Sequence, residues 1–127
     1  MDAAIDQCPP TLIDTATVIA TAYVDCVLLQ GNEIPGVIAA LGSTPELEKI
    51  KRDYEAIFLE KCRSVLQPLA AGGEITQAGL RAMLGAAEAL SNAAASAEIS
   101  AGQAKDELIA TIIAMVERAA ARATSGT

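Results

Sequence analysis

Between Leu47 and Leu66 the apolar residues return at steps of three and four: Leu47, Ile50, Tyr54, Ile57, Phe58, Cys62, Val65 and Leu66. A helix gathers that spacing on one side, whereas a strand would scatter it over both faces. Lys49, Arg52, Glu55, Glu60 and Arg63 fall on the other side. Thr44 is a good N-cap, and Pro45 at the first helical position gives up no bond, because its N–H would be unpaired there anyway. Pro68 kinks or stops the element. The pattern predicts a helix over about 45–67.

Similar punctuation appears twice downstream. "EITQAGL" at 74–80 and "EISAGQA" at 98–104 each place Glu, Ile and a hydroxyl residue before a stretch rich in Ala and Leu. In the first, Thr76 is the N-cap, and Ile75 and Leu80 form a hydrophobic staple around it. In the second, Ser100 is the N-cap and Gln103 completes a capping box. These phrases predict helices over about 77–95 and 101–123. The residues that follow them diverge, so the likeness is shared capping chemistry rather than an internal repeat. Gly79, Met83, Ala86, Ala87, Leu90 and Ala94 are expected to line the inner face of the first helix, with Ser91-Asn92 fraying its end. Leu108, Ile109, Ile112, Met115, Val116 and Ala119 make the buried stripe of the second, and Arg118 and Arg122 suit its negative end. Gly72-Gly73 supplies the turn before them.

Upstream, residues 11–30 read as another helix. Asp14, Thr17, Thr21 and Asp25 form one narrow polar stripe, and nearly everything else is apolar. A surface helix carries a wider polar face, so this one belongs in the centre of a bundle or at a subunit interface. Gly31-Asn32 ends it. A short helical piece follows at about 35–41, with Ile34, Val37, Ile38 and Leu41 on its apolar side. Aromatic residues are only 2% of the chain, which argues against a sheet. The expected architecture is all-α: a single-domain bundle of four main helices plus one short helix over 11–123, a flexible lead at 1–10 and a frayed tail at 124–127.

Several function classes are disfavoured. The chain has no His, which removes the commonest general acid–base group and metal ligand and excludes Ser-His and Cys-His nucleophile pairs. Cys8, Cys26 and Cys62 have neither disulfide-framework nor zinc-site spacing. Cys26 and Cys62 read as core residues, and Cys8 in the lead is the one open to reaction. No phosphate loop, dinucleotide fingerprint or calcium loop is present. The carboxylate pairs Glu46/Glu48 and Asp106/Glu107 sit at helix starts, where negative charge suits the dipole. No enzyme, cofactor or metal is expected.

The net charge of −7 is unevenly placed. Residues 1–48 hold no Lys or Arg but carry Asp2, Asp6, Asp14, Asp25, Glu33, Glu46 and Glu48. From Lys49 onward nine bases balance nine acids. The one basic cluster, "KIKR" at 49–52, is flanked by acids, so no nucleic-acid contact is expected. Residues 12–30 are apolar enough to raise the membrane question. Asp14 and Asp25 oppose insertion by about 2.5–3.5 kcal/mol each at mid-bilayer. A cytoplasmic protein without a membrane span is expected.

Residues 18–41, "VIATAYVDCVLLQGNEIPGVIAAL", resemble the N-terminal helical part of the Ros/MucR bacterial regulators, in which a similar segment precedes a zinc finger. The finger's Cys and His are absent here, so the resemblance implies no function and no site residue.

The remaining expectation is a non-enzymatic acidic interaction protein, such as a chaperone, adaptor or inhibitor. Its partner is a basic or apolar protein, bound near Asp14, Asp25 and Glu33. The apolar helices at 11–30 and 101–123 point to a homodimer or hetero-complex. The alternative is a bundle that holds a small apolar ligand between helices, lined by Tyr23, Tyr54, Phe58 and Met83.

Overall fold

A computed structural model describes residues 11–30 and 45–125. Among them are four α-helices and no strand: α1 Leu12–Gln30, α2 Pro45–Leu66, α3 Gln77–Ala95 and α4 Ala101–Ser125. A short 3-10 turn, Gln67–Leu69, follows α2 and contains Pro68. This is the expected all-α bundle. The predicted short helix at 35–41, the lead at 1–10, the Thr44 cap, Glu33 and Cys8 lie outside the described residues.

The helix starts follow the capping chemistry. Thr76 Oγ1 accepts from the Gly79 amide at 3.0 Å. Ser100 and Gln103 exchange two bonds, Gln103 N to Ser100 Oγ at 3.0 Å and Ser100 N to Gln103 Oε1 at 2.9 Å. Ile75 and Leu80, the residues of the staple, are both fully buried. At α1 the same role falls to Thr11, whose Oγ1 accepts from the Asp14 amide at 3.4 Å while its hydroxyl donates to Asp14 Oδ2 at 2.6 Å.

α1, α3 and α4 pack mutually and form the body, with the α3–α4 and α1–α4 faces the most extensive. Ala16, Ile19, Ala20 and Val24 of α1 meet a core that includes Leu80, Met83, Leu84 and Ala87 of α3 and Ala104, Leu108, Ile112, Met115, Val116 and Ala119 of α4. Burying each large aliphatic chain there stabilises by about 1.5–3 kcal/mol, and the interspersed alanines let the helices approach closely. By length and composition alone α1 could also cross a membrane.

Two expectations about α3 need correction. Its buried residues are Leu80, Met83, Leu84, Ala87 and Ser91, while Ala86, Leu90 and Ala94 are half-buried. The inner face is rotated and widened because both α1 and α4 lie against it. The helix also does not fray at Ser91-Asn92, since Ser91 points into the core and the helix runs on to Ala95. It ends in a Schellman arrangement: Glu98 N donates to Ala93 O at 2.9 Å, and Ala97 N donates to Ala94 O at 3.1 Å. Ala97 takes the left-handed conformation, φ 63°, that this motif usually gives to glycine.

The turn between α2 and α3 lies directly on α4. A Cβ added at Gly73 would stand 1.9 Å from the Ala119 carbonyl oxygen, so only glycine fits. The Gln67 side chain holds this turn in shape. Its Nε2 donates to Gly73 O, and its Oε1 accepts from Ile75 N at 3.1 Å.

α2 departs most from expectation. Its buried residues are Phe58, Leu59, Cys62 and Leu66. Ile50, Tyr54 and Ile57, read from the sequence as part of the same apolar side, are 51%, 71% and 64% exposed. The period is helical, but α2 meets α1 and α3 only through small contacts, and its forward half extends past the core.

Candidate interaction surface

The exposed apolar residues of α2 form a ridge. Ile50, Tyr54 and Ile57 are spaced by four and three, so they stack on one side of the helix over about 10 Å. Glu46, Asp53 and Glu60 recur every seven residues and run as an acidic column beside the ridge. All three are exposed, and among the described residues no ion pair involves them. At its C-terminal end the ridge opens into a depression of about 400 Å³ lined by Ile57, Glu60, Lys61 and Ser64.

The opposite side of the ridge leads inward to a polar cluster where α1, α2 and α3 meet. The Tyr23 and Phe58 rings lie 5.3 Å apart, tilted by 47°. Arg81 Nη1 is 3.5 Å from Glu55 Oε1. Glu55 also lies close enough to Glu88 to act on its carboxyl. Burial first, and then neighbouring Glu55, raise the Glu88 carboxyl above its usual range, against the opposing pull of Lys51 and Arg81. The Tyr23 phenol is pushed up to about 12, first by burial and then by the carboxylates of Glu88 and Glu55 and by Cys26.

The residues singled out from sequence are scattered. Asp14 is tied into the cap of α1 through Thr11. Asp25 pairs with Lys105 of α4, Oδ1 to Nζ 2.7 Å. The two share one side of α1, but eleven positions separate them, about 16 Å along the helix. Of the four apolar residues, Tyr23 and Phe58 touch, Met83 is buried in the core, and Tyr54 stands outside it on the ridge. Cys62 is buried and Cys26 half-buried, and among the described residues neither forms a disulfide. Among the described residues no group of three or more His, Cys, Asp or Glu is placed to hold a metal ion.

Sequence reasoning missed Ile50 and Ile57 as surface residues and missed the Arg81–Glu55 ion pair. The seven-residue spacing of Glu46, Asp53 and Glu60 was the available signal for the ridge, because an acidic column beside apolar positions marks a helix edge that faces a partner. Compared with protein-family models, with curated proteins and with solved structures, the chain matches none.

Proposed function

We propose that this protein is a small non-enzymatic interaction protein, and that it binds an amphipathic, basic helical segment of a protein partner along α2. The observation that carries this reading is the exposed Ile50–Tyr54–Ile57 ridge bordered by exposed Glu46, Asp53 and Glu60, which join no ion pair among the described residues. Exposed apolar surface rimmed by charge favours a protein contact. A helix laid along the ridge would present its own apolar residues to Tyr54 and the two isoleucines, in the helix-in-groove mode. The acids select lysine or arginine on the partner's flank. Each such rim pair contributes about 0.2–1 kcal/mol and weakens with salt, so affinity comes from the ridge and selectivity from the acids. The acids at issue belong to α2 rather than to the first helix.

A labelled Leu/Lys amphipathic helical peptide, followed by fluorescence anisotropy, tests the reading. Binding is expected to fall with added salt. It is expected to be lost in Ile57→Glu and to lose its salt dependence in the triple variant Glu46→Gln/Asp53→Asn/Glu60→Gln. Equal binding of a Leu/Glu peptide of the same pattern would refute the charge selection. Light scattering that shows a stable dimer, broken by Ile57→Glu, would assign the ridge to a second copy of the chain instead.

A further inference from the structure

We propose that the bound partner helix lies in a groove between α1 and α2, where α1 supplies a second apolar wall opposite the ridge. This rests on the reading of α2 as a binding ridge and adds α1 to the site. Three side-chain contacts fix how the helices run. Arg63 of α2 donates to Gln77 Oε1 of α3 at 2.8 Å, and Glu55 of α2 pairs with Arg81 of α3 at 3.5 Å. The later residue of α2 meets the earlier residue of α3, so these two helices are antiparallel. Asp25, late in α1, pairs with Lys105, early in α4, and α4 turns back along α3 after a short connection. α1 therefore runs with α3 and against α2.

Tyr23 and Phe58, 5.3 Å apart, mark where α1 and α2 touch. Around α2, Glu55 and Leu59 lie to the inner side of Phe58, and Tyr54, Ile50 and Ile57 follow in order on the other. Around α1, the core residues Ala16, Ala20 and Val24 lie to the inner side of Tyr23, and Cys26, Ala22 and Leu29 follow on the other. Both outer flanks therefore open on one surface, away from α3 and α4. Ile19 and Thr15, one and two turns before Tyr23, are buried, so the groove opens only from Ala22 onward. Leu29 stands about 9 Å beyond Tyr23, which on the antiparallel α2 is level with residue 52, between Ile50 and Tyr54. Leu29 is 81% exposed, and Ala22 and Cys26 are half-buried. A helix lying on two helices buries an apolar stripe about 100° wide or more, whereas one paired with a single helix buries a narrow seam. The partner helix accordingly has a broad apolar face, with its basic flank over Glu46, Asp53 and Glu60. The α1 edge selects little by charge, because Asp25 pairs with Lys105 and Asp14 is tied to Thr11. A net charge of −7 on each chain disfavours a second copy as the occupant.

Leu29→Glu in the full-length protein, titrated with the labelled Leu/Lys peptide, tests the second wall. The added carboxylate would attract a basic peptide, so weaker binding reports the lost apolar contact. Binding is expected to weaken about tenfold, as removing one leucine from a buried contact implies, with an unchanged circular dichroism spectrum. In nitrogen-15 spectra of the wild type, the amides of residues 22, 26 and 29 are expected to shift on adding peptide, together with those of 50, 54 and 57. If Ile57→Glu abolishes binding while Leu29→Glu binds as the wild type does and the α1 amides stay still, the ridge reading stands and the groove is overturned. If neither substitution changes binding, or the wild type does not bind the peptide, both fall. A dimer in light scattering that Leu29→Glu breaks, with no peptide bound, would give the groove to a second copy and overturn the proposal.

Discussion

Gly73→Ala is the substitution that most directly probes how the bundle is closed. The new Cβ would lie 1.9 Å from the Ala119 carbonyl oxygen, 2.4 Å from its carbonyl carbon and 2.9 Å from the Ala120 nitrogen. Ordinary non-bonded contacts need about 3.5 Å, so one backbone must retreat from the other by about 1.5 Å. The atoms met are backbone atoms of α4, which no side-chain rotation can move aside. If the turn lifts, it strains the two bonds of Gln67 to Gly73 and Ile75, each contributing about 1 kcal/mol, and begins to uncover the fully buried Ile75. With the usual penalty for forcing a methyl into packed structure, the expected loss is about 3 kcal/mol. Urea unfolding followed by circular dichroism measures it. Gly85→Ala is the internal control: that position is helical and exposed, and an added Cβ meets nothing within 4 Å. It should gain about 0.8 kcal/mol from helix propensity alone. A loss below about 0.5 kcal/mol in Gly73→Ala, beside the expected gain in the control, would refute the close approach of the turn to α4.

Two further outcomes are expected. Ser91 is fully buried in α3 and its hydroxyl has no hydrogen-bond partner among the described residues, so Ser91→Ala should raise stability by about 1 kcal/mol in the same urea assay; a loss would reveal a bond to that oxygen. Tyr23, raised on folding from 10.0 to about 12, contributes stability that is complete below 10 and lost as the pH rises towards 12. Alkaline unfolding curves of wild type and Tyr23→Phe should therefore diverge in that window, and identical curves would contradict the burial of the phenol.

Much of the fold was legible because it is written locally. The three-and-four spacing, Thr76 and the Ser100/Gln103 box each act within one turn of helix, and the structure realises all of them. The end of α3 was less readable, because Ala97 adopts a left-handed conformation without the glycine that usually announces it. The candidate surface was the least readable. Ile50 and Ile57 look like core residues in any helical projection, and only the extent of the neighbouring helices decides that they stay exposed. Asp25 forms an ion pair with Lys105, 80 positions away, which no local pattern could reveal. Glu88 sits among alanines in the sequence, and its carboxyl is raised by burial and by Glu55 of another helix, which no local pattern shows.

The pairing of α1 with α4 also bears on how the chain comes together during synthesis. α3 and α4 are joined by five residues, 96–100, whereas residues 25 and 105, which form an ion pair, are 80 positions apart. Closing the longer loop costs about 2.5 kcal/mol more chain entropy than closing the shorter one. The α3–α4 hairpin is therefore the natural nucleus, with α1 docking afterwards. On the ribosome the order of appearance is reversed. α1, the most apolar of the four helices, leaves the exit tunnel first and waits for its principal partner, which is made last. Until α4 emerges, that helix has only α3 of its two main partners to pack against, and part of its apolar surface stays uncovered during the interval.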